Sequence, residues 1–229
     1  MAAGRTSILT GVTGGWGGAV LDRFVERGWR VVVTHRAGST VADLPAGALA
    51  VEADVADPEH AKAVAAAALD SFGSIDALAN IAGGFAMAGP LEETPLDVWR
   101  AQFSVNLETA YQLTRAVLPS MKGAGRGSIV YIGTAAASAP FPGASAYITS
   151  KVALRGLMQV VNAEARGHGV RANELVLKIV DTPRNRSENP DADYSRWTTG
   201  AELAEVIEWL CSDESAPLSG GSIPAYGRA

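Results

Sequence analysis

Tyr147 and Lys151 stand four residues apart in "SAYITSKVAL", so on a helix they share one face. A phenol titrating near 10 transfers protons poorly at neutral pH, and lowering it by about three units takes roughly 4 kcal/mol. A neighbouring ammonium favours the phenolate, which makes the pair a candidate acid–base unit. A packed ring beside a solvated amine gives the same spacing. What singles this pair out is Thr134, a hydroxyl ending the preceding apolar run "GSIVYIGT". A phenol, an amine and a hydroxyl gathered at a strand end suit proton transfer to or from a substrate oxygen.

A second group of residues suits a nucleotide. In "TSILTGVTGGWGGAVLDRF" an apolar run passes into an amphipathic one through Gly11, Thr13, Gly14, Gly15, Trp16 and Gly17. Glycines there allow tight turning and close backbone approach, and the helix start offers free N–H groups to a pyrophosphate. Ordinary strand-to-helix turns also carry glycine, so the motif takes its weight from its place at the first turn. Where NAD-binding chains often have a carboxylate for the ribose hydroxyls, "RVVVTHRAG" has His35 followed by Arg36. Arg36 can hold a 2′-phosphate, which favours NADP(H), with NAD(H) open and a solvated loop arginine as the plain alternative. Asp54, with Val55, closes the run "VEADV", and Asn80, Ala82 and Gly83 lie in "NIAGG". All fall where strand ends would line the adenosine side. Asp54 could equally cap the next helix.

The elements that must position these groups alternate from end to end. Short aliphatic runs, "TSILTG", "RVVVTH", "ALAVEADV", "IDALANIAG", "GSIVYIG", "VRANELVL" and "GSIPAY", are separated by helical stretches. The longest of these are "LDVWRAQFSVNLETAYQLTRAVLPSMK" and "SAYITSKVALRGLMQVVNAEARGHG". Runs apolar on both faces and joined by helices imply a Rossmann-type α/β fold, a doubly wound parallel sheet of about seven strands with helices on both faces. No linker divides residues 1–229, so one domain is expected. Two features stand out near the end. "KIVDTPRNRSENPDADYSRW" has no regular pattern and is a candidate substrate loop over about 181–198. Just before it Lys178 interrupts an apolar run from Leu175 to Val180, a costly place for an amine unless it reaches an opening.

Nineteen basic and 24 acidic residues give a net charge of -5 without blocks of like charge. That removes the electrostatic case for nucleic acid or an anionic membrane. A lone Cys211 excludes a disulfide framework and reads as a buried structural thiol. The N-terminus lacks the pattern of a signal peptide or membrane span, so a cytoplasmic protein is expected. No residue is assigned to a metal.

Together the motifs resemble the short-chain dehydrogenase/reductase family, and the resemblance covers essentially the whole chain. It is carried by "TGVTGGWG" for TGxxxGxG, "NIAG" for NNAG, "VNL" with Asn106, Thr134 thirteen residues before the tyrosine, and "YITSK" for YxxxK. It implies Tyr147 as general acid–base, Lys151 lowering its pKa and binding the nicotinamide ribose, Thr134 polarising the substrate oxygen, and Asn106 holding a water that links Lys151 to solvent. It also implies cofactor contacts from Val180 and Thr182, and a homodimer or homotetramer formed through the helices around residues 106–121 and 147–165. Three departures are visible: Thr134 for the commoner serine, Ile81 for the second Asn of NNAG, and Leu177-Lys178 where members usually have Pro-Gly. The leading expectation is an NADPH-dependent carbonyl reductase or alcohol dehydrogenase acting on a small or medium-sized apolar substrate. A bulky Leu177-Lys178 beside the nicotinamide pocket leaves room for a non-catalytic NADP(H)-binding sensor or scaffold, with Lys178 itself either solvated or meeting the cofactor phosphates or an acidic substrate. "NIAGGF" and the tail "GGSIPAYG" point weakly to reduction of a pterin or imine.

Overall fold

The computed structural model describes residues 4–41 and 44–228; Met1 to Ala3, at the start of the N-terminal reading, lie outside them. The strands are β1 (Thr6–Leu9), β2 (Arg30–His35), β3 (Ala48–Glu52), β4 (Ala77–Asn80), β5 (Gly127–Thr134), β6 (Val170–Leu177), β7 (Val180–Asp181), β8 (Thr198–Thr199) and β9 (Ser222–Ala225). The helices are α1 (Gly17–Glu26), α2 (Pro58–Phe72), α3 (Leu96–Phe103), α4 (Thr109–Ala124), α5 (Ser145–Ala165), α6 (Pro183–Glu188) and α7 (Gly200–Cys211). Seven strands form one parallel sheet in the order β3-β2-β1-β4-β5-β6-β9. The Rossmann-type architecture is thus as expected.

Alternation along each strand builds two cores. Leu9, Val31, Val33, Ala79, Val130 and Leu175 face α1 and α7, while Ile8, Val32, Leu78, Ile129, Tyr131 and Ala172 face α2, α4 and α5. Residues of period two with both sets apolar can only be strands covered on both faces. The alanine-rich stretch is the middle of α2, with Ala61, Val64, Ala65 and Ala68 buried. The strand order reverses between β1 and β4, which opens a crevice at the carboxyl ends of the strands.

Four local expectations need correction. The α2 N-cap is Asp57, not Asp54: its carboxylate accepts from Glu59 N at 2.8 Å and His60 N at 3.1 Å, with Pro58 starting the helix. Asp54 lies beyond the end of β3 and accepts from Ala56 N instead. The long helix expected over residues 96–122 is interrupted by a π-helical turn at Ser104–Glu108 that buries Asn106. The apolar run Leu175 to Val180 is not one strand, because β6 stops at Leu177, Lys178 is exposed to water, and β7 leaves the main sheet to pair with β8. Finally, the patternless stretch is ordered. It holds α6 and a turn at Tyr194–Arg196.

Among the described residues no helix is long and apolar enough to cross a membrane, and no cluster of His, Cys, Asp and Glu could hold a metal ion. Cys211 is 3% exposed, and burial pushes its thiol well above the usual range. The folded protein should therefore resist iodoacetamide at pH 8, with alkylation, followed by mass spectrometry, appearing only as denaturant unfolds the chain.

Candidate active site

The crevice is lined by the three strand-to-helix connections around the reversal. A cleft of about 700 Å³ is bounded by Gly11, Thr13, Gly14, Gly15, Trp16 and Gly17 after β1, by His35 and Arg36 at the end of β2, by Asp54 and Val55 after β3, and by Ala82 and Gly83 after β4. That volume is in the range of small-molecule sites. Twelve of the expected cofactor residues thus meet in one place. Thr34, Ala53, Gln102, Val105 and Thr109 also line it; no local motif announced them.

Backbone proximity explains the glycines. Gly11 has φ +72, and a Cβ on it would come within 2.7 Å of Ala82 N. A Cβ on Gly17 would collide with the Gly11 carbonyl, so the first turn of α1 can close on β1 only without side chains. Thr10 ties the two loops, its hydroxyl accepting from Ile81 N at 3.0 Å and Ala82 N at 2.9 Å. Trp16 starts α1 without any side-chain cap; Gly17 N donates to the Gly14 carbonyl at 3.2 Å, and the N–H groups that follow it in the first turn, with the positive dipole end, remain for a ligand. These features fit a dinucleotide pyrophosphate. Asn80 is buried with neither its amide donor nor its acceptor engaged, and the neighbouring Ile81 offers it no polar partner.

The catalytic candidates do not line the cleft themselves; Lys151 and Asn106 meet it at Gly83. Tyr147 and Lys151 sit one turn apart on α5, and the Tyr147 hydroxyl meets that of Thr134 at the end of β5. Lys151 is 5% exposed, and its Nζ donates to the Ile132 carbonyl at 2.8 Å. A Cβ on Gly83 would lie 3.0 Å from Asn106 Oδ1 and 3.2 Å from Lys151 Nζ, so both converge on that glycine. The Asn106 side chain closes a reciprocal pair with Gly84, N–H to Oδ1 and Nδ2 to carbonyl at 3.0 Å each, and also donates to Ser150. It holds the loop after β4 in place. A π-helical turn at a functional position is a recurrent device.

Burial acts on both members of the pair. It pushes the Tyr147 phenol above its ordinary value, opposed by the hydrogen bond to Thr134, and pulls the Lys151 ammonium down to about 8, opposed by the charge of Glu174. The lowering of Tyr147 by Lys151 is not present in this arrangement, where the amine is turned to Ile132.

Val180, Thr182 and Lys178 are not among the residues that line the cleft. Thr182 caps α6, accepting from Asn185 N at 3.2 Å, and a Cβ on Gly15 would touch its methyl at 3.3 Å. Leu177 is buried in the core with Val180 while Lys178 faces water, so the pair is divided between interior and solvent. The loop beyond is braced by a bidentate Arg186–Asp181 pair at 2.6 and 2.7 Å, and Arg186 lies over the Tyr194 ring. Facing Tyr147 is an apolar rim. Phe85 meets its ring edge-on at 4.9 Å, and Met87 and Phe141 are exposed nearby, Met87 touching the turn at Gly143.

A doubly wound sheet with this crevice and this Tyr–Lys–Thr group defines a dinucleotide-dependent class of protein. The family model of the short chain dehydrogenases matches residues 5–193, and the chain belongs to that family of oxidoreductases. It is 32% identical over 243 residues to a 2-(R)-hydroxypropyl-CoM dehydrogenase of Xanthobacter autotrophicus, covering 97% of each chain. It is also similar to the structure of a 3-ketoacyl-(acyl-carrier-protein) reductase from Brucella melitensis complexed with NADH, at 25% identity and a TM-score of 0.89 over 100% of this chain and 99% of that one. A NAD+-bound xylitol dehydrogenase, 21% identical with a TM-score of 0.90 over 98% of each chain, shares the fold.

The close approach at the first turn has a direct test. Gly17→Ala should lower dinucleotide affinity at least about tenfold and cost about 1–3 kcal/mol of stability, because its methyl must displace backbone rather than a flexible side chain. Fluorescence titration with NADH and thermal melts would measure the two effects.

Proposed function

We propose that the protein is a carbonyl reductase, or in reverse an alcohol dehydrogenase, that prefers NADP(H) and acts on compact apolar substrates. The observation that carries this reading is the convergence of Tyr147 on α5 with Thr134 at the end of β5, with Phe85 edge-on to the Tyr147 ring on one side and buried Lys151 one helical turn away on the other. In reduction Tyr147 gives its proton to the carbonyl oxygen while Thr134 donates a hydrogen bond to the same oxygen; in oxidation Tyr147 takes the hydroxyl proton back. When bound, a nicotinamide supplies or accepts the hydride. Lys151 spends one of its three N–H donors on Ile132 and keeps two for the nicotinamide ribose and for stabilising phenolate at Tyr147. Asn106 fixes Gly83 and Gly84 beside it.

The names of the relatives support an alcohol–ketone pair: a hydroxypropyl dehydrogenase and a ketoacyl reductase. Phe85, Met87 and Phe141 favour an aliphatic or aromatic substituent on the reacting carbon. Preference for NADP(H) rests on Arg36, exposed at the cleft edge beside His35 with no carboxylate at the end of β2; the NADH complex of the reductase keeps NAD(H) within reach. The outer faces of α4 and α5 expose Tyr111, Val152 and Val160, and a homodimer or homotetramer joined there belongs to the same reading.

Tyr147→Phe keeps the ring packing and removes the proton donor. Turnover of a small ketone panel should fall by at least about a hundredfold while dinucleotide affinity changes little; unchanged turnover would sink the assignment. Arg36→Asp should weaken NADPH about tenfold or more relative to NADH, the loss of one charge-assisted contact and the gain of repulsion. Parallel titrations with both cofactors read that ratio directly.

A further inference from the structure

We propose that Glu174 is a positioning residue of this site: a buried carboxylate, anchored by Arg155 and Ser222, that serves as counter-charge to Lys151 from beneath β5. The inference rests on the reading of Lys151 as partner to Tyr147.

Glu174 lies in the middle of β6 and is 0% exposed. Its Oε2 accepts from Arg155 Nε at 2.8 Å and from Ser222 Oγ at 2.6 Å. Its Oε1 has no hydrogen-bond partner among the described residues and lies against Gly133, where any side chain on that residue would collide with it. A carboxylate oxygen buried without a donor is costly and is retained only where a positive charge compensates it. Tyr147, Lys151 and Arg155 follow one another at four-residue intervals on α5 and therefore share a face. Lys151 Nζ binds the carbonyl of Ile132, and Glu174 Oε1 rests on the next residue, Gly133. Ammonium and carboxylate thus meet adjacent residues of β5.

Among the described residues Arg155 brings the one further charge into direct contact with Glu174. Lys151 faces Tyr147 on its own helix and neutral Asn106 and Gly83 from the loops. Glu174 faces Arg155 from α5, Ser222 from β9 and, on β5, Tyr131, whose hydroxyl is bound to Thr114. Arg155 also donates to Ser138 in the turn that follows Thr134. The anchor therefore reaches both the amine and the loop carrying the substrate-facing hydroxyl. Its field supports the ammonium against the burial that draws it down to about 8.

The chain has four lysines, Lys62, Lys122, Lys151 and Lys178, so 13Cε-lysine NMR can follow Lys151 alone once Lys151→Arg has assigned it. In Glu174→Gln the Lys151 midpoint should fall by about one pH unit or more, and the basic limb of kcat/KM should move down with it. Where that variant does not fold, Glu174→Met keeps the length of the side chain and removes its charge while Arg155, already bound to Ser138, stays in place, and it carries the same measurement with a fall in the same direction. A midpoint that stays put in either folded variant overturns the proposal, since a packing role moves stability without moving a titration. The NMR midpoint does not depend on turnover. An unmoved midpoint in an active enzyme rejects the counter-charge alone, whereas a shifted midpoint in a protein inert to every carbonyl substrate rejects the catalytic reading and leaves the counter-charge standing.

Discussion

The hydrogen bond from Lys151 to the Ile132 carbonyl is the contact on which the geometry of the site turns. A buried ammonium must find acceptors, and a parallel sheet supplies one only where a strand outruns its neighbour. β5 does so: its pairing with β4 ends at Tyr131, while its pairing with β6 continues to Thr134. The last three residues of β5 thus lack a partner strand on the β4 side. Into that gap α5 sends Lys151, and the same overhang presents the Thr134 hydroxyl to Tyr147. Length mismatch between two strands fixes where the chemistry sits.

Desolvation would seem a poor way to build an acid–base pair, because it favours the neutral form of both members. Tyr147 is pushed up and Lys151 down, each away from the phenolate–ammonium state that proton transfer requires. The gain lies in the strength of what remains. In a dry site each charge acts through a lower dielectric than in water, so one fixed carboxylate or one bound polar group shifts the pair further than it would at the surface. Burial of the pair raises the cost of the charged state and the leverage over it together, and the second effect allows neighbours to set the outcome.

Most of the scaffold was legible in the sequence because its strands are buried on both faces. "RVVVTH" and "VRANELVL" correspond residue for residue to β2 and β6, since a short run bounded by turn residues and carrying apolar side chains on both faces reads as a covered strand. The glycine turn was legible because its constraint is local: Gly11 and Gly17 touch each other within seven residues. Gln102, Val105 and Thr109 were not, because they reach the cleft through a π-helical turn that helical periodicity cannot signal. Charge was legible only in part. Lys178 drew attention as the ion in an apolar run, yet it sits in water one residue past the end of β6. Glu174, four residues earlier and in phase with Ala172 and Val176, is the ion that is buried, and the only trace it leaves elsewhere is a glycine at 133 where β5 would otherwise carry a side chain.

The exchange of Pro-Gly for Leu177-Lys178 can be placed by the same logic. A proline and glycine would end β6 by removing a donor and freeing the backbone. Here termination comes instead from hydration of Lys178, with Leu177 turned into the core beside Val180. The chain then re-forms a short ladder with Thr198–Thr199, and Thr182 reaches Gly15 at the head of the phosphate turn while capping α6. The cleft and the segment beyond β6 therefore meet through Thr182, with the β7–β8 pairing beside it. The bulk of this pair is divided, Leu177 packing into the core and Lys178 facing water.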